Sequence, residues 1–214
     1  MSDYFDESLH ADVDRYLLGL LPPRDVVLSK MERFALERGF PFIGPLAGEV
    51  LFILARSIGA RRVYEMGSGF GYSALHLARA IPEGGTVICT DGDAQNKERA
   101  EEYFREAGLL HKLDFRVGDA LDMLDAVSGE FDIVLIDIGK EDYPAAFRKA
   151  WPRLRIGGLF MADNLLWHGR VLTDDDSPST RGVREFTRLL FDTPGARSTI
   201  IPLRDGVSVT LKTE

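Results

Sequence analysis

Cysteine is almost absent from this sequence, since Cys89 is the only one among its 214 residues. No disulfide can therefore form within the chain. The four histidines show no metal-binding spacing, and no apolar run approaches the roughly 20 residues of a membrane-spanning helix. Basic residues are fewer than acidic ones, 26 against 34, and the net charge of −8 argues against a large nucleic-acid-binding surface. Because the first residues lack the apolar core of a signal peptide, we expect a cytoplasmic protein.

The overall composition is that of a globular protein, with 45% hydrophobic and 28% charged residues. A chain of this length is expected to form one domain, covering residues 1–214. Apolar spacing predicts two short helices before Arg38, interrupted at Pro22 and Pro23. We therefore expect a helical appendage at residues 1–39 and an α/β core at residues 40–214.

Strands and helices alternate in the predicted core. Apolar stretches that end in turns predict five strands: Arg62–Met66, Thr86–Thr90, Leu113–Val117, Phe131–Ile136 and Ile156–Ala162. Helical patterns follow the first, second and fourth strands, the last of them from Tyr143 to Leu154. Repeated βα units require right-handed crossovers and a parallel sheet with helices on both faces. A short connection joins two further strands, Ser198–Ile201 and Val207–Leu211, and predicts that the last strand is antiparallel.

Three glycines, Gly67, Gly69 and Gly71, follow the first predicted strand. Gly67 allows a sharp turn, and the other two leave room for a ligand beside the backbone ahead of a helix. The spacing is G-x-G-x-G, whereas dinucleotide-binding enzymes have G-x-G-x-x-G. Glu65 is positioned to face a cationic part of a ligand, which favours S-adenosylmethionine over a pyrophosphate. Taken alone, the glycine cluster is also compatible with a simple tight turn.

Acidic residues follow the second and third predicted strands. Ligands of open α/β sheets bind beyond the carboxyl ends of the strands. Asp91 is therefore a candidate to hydrogen-bond ribose hydroxyls, and Asp119 or the backbone of Ala120 is expected near the base. The other interpretation of each carboxylate is a helix cap or a solvated turn.

Oxygen donors also follow the fourth and fifth strands, at Asp137 and at Asp163 with Asn164. Neighbouring strands lie about 5 Å apart, so these three side chains are expected to converge. Without histidine or cysteine beside them, they suit a hard cation such as Mg²⁺ and not zinc. The alternative is that Asp163 and Asn164 cap a turn. Lys140 is a candidate base or a solvated loop lysine, and Trp167 is either a wall of the substrate pocket or a core residue.

These motifs resemble the cation-dependent class I S-adenosylmethionine O-methyltransferases, the group of catechol and caffeoyl-CoA O-methyltransferases. The resemblance covers about Leu17 to Lys212 and is most specific at four segments: Glu65–Ser73, Asp137–Lys140, Ala162–Asn164 and Pro202–Gly206. It implies a Rossmann-like methyltransferase fold with a seven-stranded sheet and, for bacterial members, a homodimer.

The resemblance also implies roles for individual residues. It implies that Ile43, Glu65, Gly67, Ser73 and Asp91 hold the cofactor, and we expect Gly69, Asp119, Ala120 and Asp137 to complete the cofactor-binding set. Asp137, Asp163 and Asn164 are expected to bind the cation, with Lys140 as the base and Asp137 also taking part in catalysis. Two departures stand out. Pro41 replaces a methionine common near the methyl donor, and Ile138-Gly139 replaces a bulkier pair, which implies a wider acceptor site.

The function predicted from this resemblance is methyl transfer from S-adenosylmethionine, assisted by Mg²⁺ or a similar cation, to a small aromatic acceptor with two adjacent hydroxyls. One alternative is a tRNA 5-hydroxyuridine O-methyltransferase, for which the phosphate-contact candidates are Arg61, Arg62, Arg181 and Arg184. Alternatives of another class are a nicotinamide-dependent oxidoreductase, which the glycine spacing disfavours, and a non-catalytic S-adenosylmethionine-binding protein.

Overall fold

The computed structural model describes residues 7–214, with side chains from Asp12 onward. The first six residues of the predicted appendage lie outside the described residues. The helices are α1 (Glu7–Leu20), α2 (Val26–Arg38), α3 (Gly44–Ser57), α4 (Tyr72–Ala80), α5 (Ala94–Glu106), α6 (Ala120–Asp125), α7 (Tyr143–Ala150) and α8 (Pro178–Asp192). The strands are β1 (Arg62–Met66), β2 (Thr86–Asp91), β3 (Leu113–Val117), β4 (Phe131–Ile136), β5 (Leu154–Ala162), β6 (Ala196–Ile201) and β7 (Val207–Lys212). None of the helices described here is long and apolar enough to cross a lipid bilayer.

The strands form one sheet in the order β3-β2-β1-β4-β5-β7-β6. Strands β1 to β5 pair in parallel, and β7 lies antiparallel between β5 and β6. The prediction of a mostly parallel sheet with an antiparallel last strand is confirmed. After β3, the chain returns to the other side of β1 to add β4. This switch leaves a crevice beyond the carboxyl ends of β1 and β4, where open α/β sheets bind ligands.

Strand β4 shows why the central strands are almost continuously apolar. Ile133 and Leu135 belong to an apolar cluster on one face of the sheet, whereas Val134 and Ile136 belong to a second cluster on the other face. Since helices cover both faces, each successive side chain is buried. Tyr143, Phe147 and other residues of α7 contribute to the second cluster together with α8.

One predicted helix boundary was wrong and one helix was missed, for local reasons. The helix expected through Leu154 ends at Ala150, and a single 3₁₀ turn follows before β5. Pro152 lies in that turn, and its ring removes an amide donor and disfavours a continued α-helix. Helix α6 was not predicted, because its six residues are too few to show a helical period.

Helix α8 packs its backbone directly against the segment that follows β4. Gly182 in α8 is buried, and a Cβ placed there would lie 2.2 Å from the carbonyl oxygen of Lys140 and 2.8 Å from Cα of Glu141. No side chain fits in that space. The position of Lys140 therefore depends on a helix that begins almost 40 residues later in the chain.

Replacing Gly182 by alanine is expected to lower the free energy of unfolding by about 2 kcal/mol, because α8 or Lys140 must move to accept the methyl group. Gly19→Ala is the matched control, since Gly19 is also helical and has open space around the added Cβ. Urea unfolding measures both variants. Gly19→Ala should leave stability unchanged or raise it slightly, and equal stability of the two variants would contradict the close packing.

Candidate active site

The glycine segment after β1 turns tightly against the end of β4. Gly67 has a φ of +81°, and a Cβ at this position would lie 2.1 Å from the carbonyl oxygen of Asp137. The amides of Gly67 and Ser68 both donate to the carbonyl of Thr90, at 3.0 and 2.9 Å. Gly71 also has a positive φ, of +86°, and is the N-cap of α4. The glycines therefore bring three strand ends together in a way that a side chain at Gly67 would prevent.

Glu65 lies beneath this glycine segment and not on the wall of the crevice. Only 1% of its surface is exposed. Its carboxylate accepts hydrogen bonds from the hydroxyl of Ser73, from the hydroxyl of Ser68 at 2.7 Å, and from the thiol of Cys89 at 3.6 Å. Burial raises the pKa of Glu65, and the serine hydrogen bonds oppose that rise. Glu65 thus anchors the segment, while Ser73 and Ser68 are among the residues that line the crevice.

Asp91, at the end of β2, connects the glycine segment to α5. Its Oδ2 accepts from the amide of Gly69 at 3.0 Å, and its Oδ1 accepts from Asp93 N at 2.9 Å and from the side-chain amide of Asn96 at 3.0 Å. Asp91 also lines two adjoining cavities, of about 1200 and 460 Å³. Its carboxylate is therefore held in place at the junction of the two.

The smaller cavity contains the two residues predicted to lie near a base. Asp119 and Ala120 line it together with Asp91 and Gly118. Asp119 is also the N-cap of α6, because its Oδ1 accepts from the amides of Leu121 and Asp122 at 2.9 and 3.0 Å. The capping interpretation and the ligand interpretation of Asp119 are therefore compatible in this structure.

The larger cavity contains the acidic group at the ends of β4 and β5. Asp137, Asp163, Asn164 and Lys140 all line it. Asp163 is 6% exposed, and burial, followed by the charge of Asp137, raises its pKa to about 6. Asn164 follows in a left-handed conformation with φ +63°, which asparagine tolerates better than most residues. The described residues contain no group of three histidine, cysteine, aspartate or glutamate side chains suited to a metal; this set has two carboxylates and one amide.

Lys140 connects the two carboxylate-bearing segments. Its Nζ donates to Asp137 Oδ1 and to the hydroxyl of Tyr143, both at 2.8 Å. The Tyr143 hydroxyl donates in turn to the backbone carbonyl of Asp163 at 3.0 Å. Lys140 is 7% exposed, so it is not the solvated loop lysine of the alternative interpretation. Its Nζ is held at the cavity wall by a carboxylate and a phenol oxygen.

Aromatic side chains from two distant segments form the remaining wall of the larger cavity. Phe40 and Phe42 come from the connection between α2 and α3, where the buried side chain of Ile43 also lines the cavity. Trp167 lines it from the other side, with its indole nitrogen donating to Thr180 Oγ1 at 3.1 Å. Of the two interpretations of Trp167, the structure supports the cavity wall. The sequence patterns did not single out Phe40 or Phe42, whose Pro- and Gly-rich surroundings indicated only a loop.

The arginines considered as phosphate contacts are engaged within the chain. Arg184 donates to the carbonyls of Arg170, Val171, Thr173 and Asp175 and holds the segment after Trp167 against α8. Arg181 pairs with Asp176 at 3.1 Å. The Arg62 guanidinium lies over the ring of Phe131, 5.0 Å from its centroid. Arg61 donates to the carbonyl of Glu83 at 3.4 Å. Each of these side chains therefore has a partner within the chain.

Most predicted site residues thus line the two cavities. Those on a cavity wall are Ile43, Gly67, Gly69, Ser73, Asp91, Asp119, Ala120, Asp137, Lys140, Asp163 and Asn164. Glu65 lies behind the wall. Gly71, which was expected to leave room for a ligand, instead packs against α5, where an added Cβ would lie 2.9 Å from the Cβ of Ala100. Arg204 and Asp205, which belong to a segment named in the resemblance but given no role, also line the larger cavity.

The known proteins that this chain resembles are O-methyltransferases. A family model described as O-methyltransferase matches residues 27–213. Caffeoyl-CoA O-methyltransferase 1 of Zea mays is 34% identical over 175 residues, covering 76% of this chain and 68% of the maize protein. A catechol O-methyltransferase of Niastella koreensis is 31% identical over 205 residues, covering 92% and 93%.

A solved structure is similar over almost the whole chain. The O-methyltransferase TomG from Streptomyces achromogenes, crystallised in complex with SAM, has a TM-score of 0.87 and 32% sequence identity. The match covers 95% of this chain and 96% of TomG. The expected Rossmann-like methyltransferase fold is therefore confirmed.

The anchoring of the glycine segment by Glu65 can be tested by its removal. Glu65→Ala is expected to lower the free energy of unfolding by about 2 to 4 kcal/mol, because two buried hydroxyls lose their acceptor and a cavity opens. Glu65→Gln, which keeps the volume and one acceptor, should cost less. The control is Glu83→Ala, since the Glu83 side chain is 79% exposed. If urea unfolding gives Glu65→Ala the same free energy of unfolding as the control, the carboxylate does not anchor the segment.

Proposed function

The chain belongs to the O-methyltransferase family, and from this premise we propose that it methylates one hydroxyl of an aromatic acceptor that carries two adjacent hydroxyls. The methyl donor is S-adenosylmethionine, and a divalent cation such as Mg²⁺ binds at Asp137, Asp163 and Asn164. The observation that carries the proposal is that this oxygen-donor set and Lys140 share one cavity with the glycine segment.

The cofactor is proposed to extend across both cavities. Asp91, at their junction, would accept hydrogen bonds from the ribose hydroxyls, while Asp119 and Ala120 would contact the adenine end in the smaller cavity. Gly67, Gly69, Ser73 and Ile43 would contact the methionine end, and the carboxylate of Asp137 lies on the same wall. Glu65 would act through the segment it anchors. The bound cofactor supplies a methyl group on a positively charged sulfur.

The donor chemistry of the acidic set fits a hard cation. Two carboxylates and an amide provide oxygen ligands, which Mg²⁺ prefers, without sulfur or imidazole. The two carboxylates are close enough that the charge of Asp137 raises the pKa of Asp163, so a positive charge between them would be favourable. Such a cation would supply charge that lowers the pKa of an acceptor hydroxyl.

Lys140, as its neutral amine, is proposed to take the proton of that hydroxyl. Of the residues described, it is the only lysine on the cavity wall, and the Tyr143 hydroxyl fixes its Nζ at 2.8 Å. Because Nζ approaches from one side, one of two adjacent hydroxyls would lose its proton. The acceptor oxygen then bonds to the methyl carbon as the carbon–sulfur bond breaks, and the aromatic side chains of Phe42 and Trp167 keep the ring in place.

The alternatives are supported less well. Family membership favours methyl transfer over nicotinamide-dependent oxidation, and the shared cavity of Lys140 with the acidic set argues against a non-catalytic binding protein. The tRNA 5-hydroxyuridine function is disfavoured by the intramolecular contacts of the four arginines. That the enzyme is a homodimer in the cytoplasm stays a prediction.

Removal of divalent cations is expected to abolish methyl transfer from labelled S-adenosylmethionine, and added Mg²⁺ should restore it. Asp163→Ala should stay inactive at Mg²⁺ concentrations that restore the wild-type enzyme, because one charged ligand is lost. Asp174→Ala, in an exposed loop, is the control and should respond to Mg²⁺ as the wild type does. Full activity in excess chelator would contradict the cation site.

The requirement for two adjacent hydroxyls can be tested with matched acceptors. One oxygen held at the acidic set would leave the ring free to pivot, whereas two oxygens would fix it. We expect a catechol to be methylated about 100-fold faster than the corresponding monophenol, under identical Mg²⁺ and cofactor. Comparable rates would contradict this basis of selectivity. Methylation of tRNA but of neither phenol would support the tRNA alternative.

A further inference from the structure

Arg204 occupies an unusual backbone position at the mouth of the larger cavity. It lies in the turn between β6 and β7, which is closed by a hydrogen bond from Gly206 N to the Leu203 carbonyl at 2.9 Å. Its φ is +52°, in the left-handed region that disfavours residues with a Cβ by about 1 kcal/mol. Replacement by glycine would relieve this strain, so the arginine side chain at this position carries an energetic cost. Its side chain lines the cavity.

The guanidinium group of Arg204 has few partners in the described part of the chain. One nitrogen, Nη1, donates to the carbonyl of Phe42, and the group lies 6.0 Å from the centroid of the Phe42 ring. Within residues 12–214, it has no other hydrogen bond and no carboxylate within 4.0 Å. Two further N–H donor groups, on Nε and Nη2, are therefore available to a ligand.

Lys140, the other lysine or arginine that the described residues place on this wall, is already engaged. Lys140 pairs with Asp137 at 2.8 Å. Asp205, beside Arg204, accepts from the backbone amide of His168 at 2.6 Å and so holds the neighbouring wall segment. Among the lysines and arginines described on this wall, Arg204 is the one without a carboxylate partner.

We propose that Arg204 binds a carboxylate that the aromatic acceptor carries on the side of its ring away from the reacting hydroxyls. This inference rests on the proposed function and adds a substrate class to it, the catechol acids. Arginine suits this role because its planar group can donate two parallel hydrogen bonds to a carboxylate. The hydrogen bond from Nη1 to the Phe42 carbonyl holds the guanidinium beside the ring of that residue, whose centroid lies 6.0 Å away. The aromatic ring of the acceptor would then make the remaining contacts with the cavity wall.

A different role for Arg204 predicts a different result. If its hydrogen bond to the Phe42 carbonyl only holds the segment before α3 over the cavity, removing the guanidinium should weaken all acceptors alike. Recognition of a carboxylate should instead affect acidic acceptors selectively. A neutral analogue of the same shape separates the two roles.

The test is equilibrium binding of 3,4-dihydroxybenzoate and 3,4-dihydroxybenzamide, measured by calorimetry with Mg²⁺ and S-adenosylhomocysteine present, so that no turnover is needed. We expect the wild-type protein to bind the acid about tenfold more tightly than the amide, the ratio expected for a charged hydrogen-bonded pair that is partly solvated. Arg204→Gln should abolish this preference without weakening the amide, and Arg204→Lys should keep part of it. Arg181→Gln, which removes a surface arginine paired with Asp176, is the control and should keep the full preference.

Three results would overturn the inference: no preference for the acid in the wild type, a preference that survives in Arg204→Gln, or equal weakening of both compounds in that variant. Failure of wild type to bind either compound would count against it as well. The proposed function is tested separately by product formation. A preference that is lost in Arg204→Gln, without methylation of either compound, would support the anion site while contradicting the proposed reaction.

Discussion

The close contact between the ends of β1 and β4 is the constraint on which the rest of this site depends. Parallel pairing of these strands places the amide of Asp137 2.8 Å from the carbonyl of Met66, and the missing side chain of Gly67 lets the two loops touch. The glycine segment and the acidic set therefore face a common crevice. Gly182 of α8 has the corresponding role on the far side, where its missing side chain lets the helix pack on Lys140.

Two buried hydrogen-bond networks make this crevice rigid. Glu65 and Asp91 hold the glycine segment from below and from the side, while Lys140 and Tyr143 connect the segments after β4 and β5. Each network joins residues from at least two strand ends, so the walls are held in place before any ligand arrives. Such preorganisation reduces the ordering that binding and reaction would otherwise require. The clustering of Asp137 and Asp163 is unfavourable on its own, and it becomes favourable once a positive charge is bound.

The two ends of the crevice are built differently. Strand ends and short turns form the side proposed for the cofactor, whereas irregular segments around Phe42, Trp167 and Arg204 form the side proposed for the acceptor. Such segments can change without altering the sheet, so one fold can serve many acceptors. The identity of the acceptor is therefore a question about these loops. The donors of Arg204 that have no partner within residues 12–214 are the feature of these loops that bears on it. Ile138 and Gly139, which were expected to widen the acceptor site, line the smaller cavity instead.

Local patterns along the chain were sufficient to predict the sheet and the half of the site that the strand ends form. The apolar run of β4 predicted a strand buried on both faces, and the carboxylates that end parallel strands were expected at one edge because such ends coincide in every βα repeat. Short-range patterns also failed in places: α6 is too short to show a period, and Pro152 ended a helix that apolar spacing had extended. Only the tertiary structure revealed that Glu65 lies behind the wall and that Arg204 contacts Phe42, 162 residues away. Contacts of that kind follow from how helices and loops pack on the sheet, and no local periodicity records them.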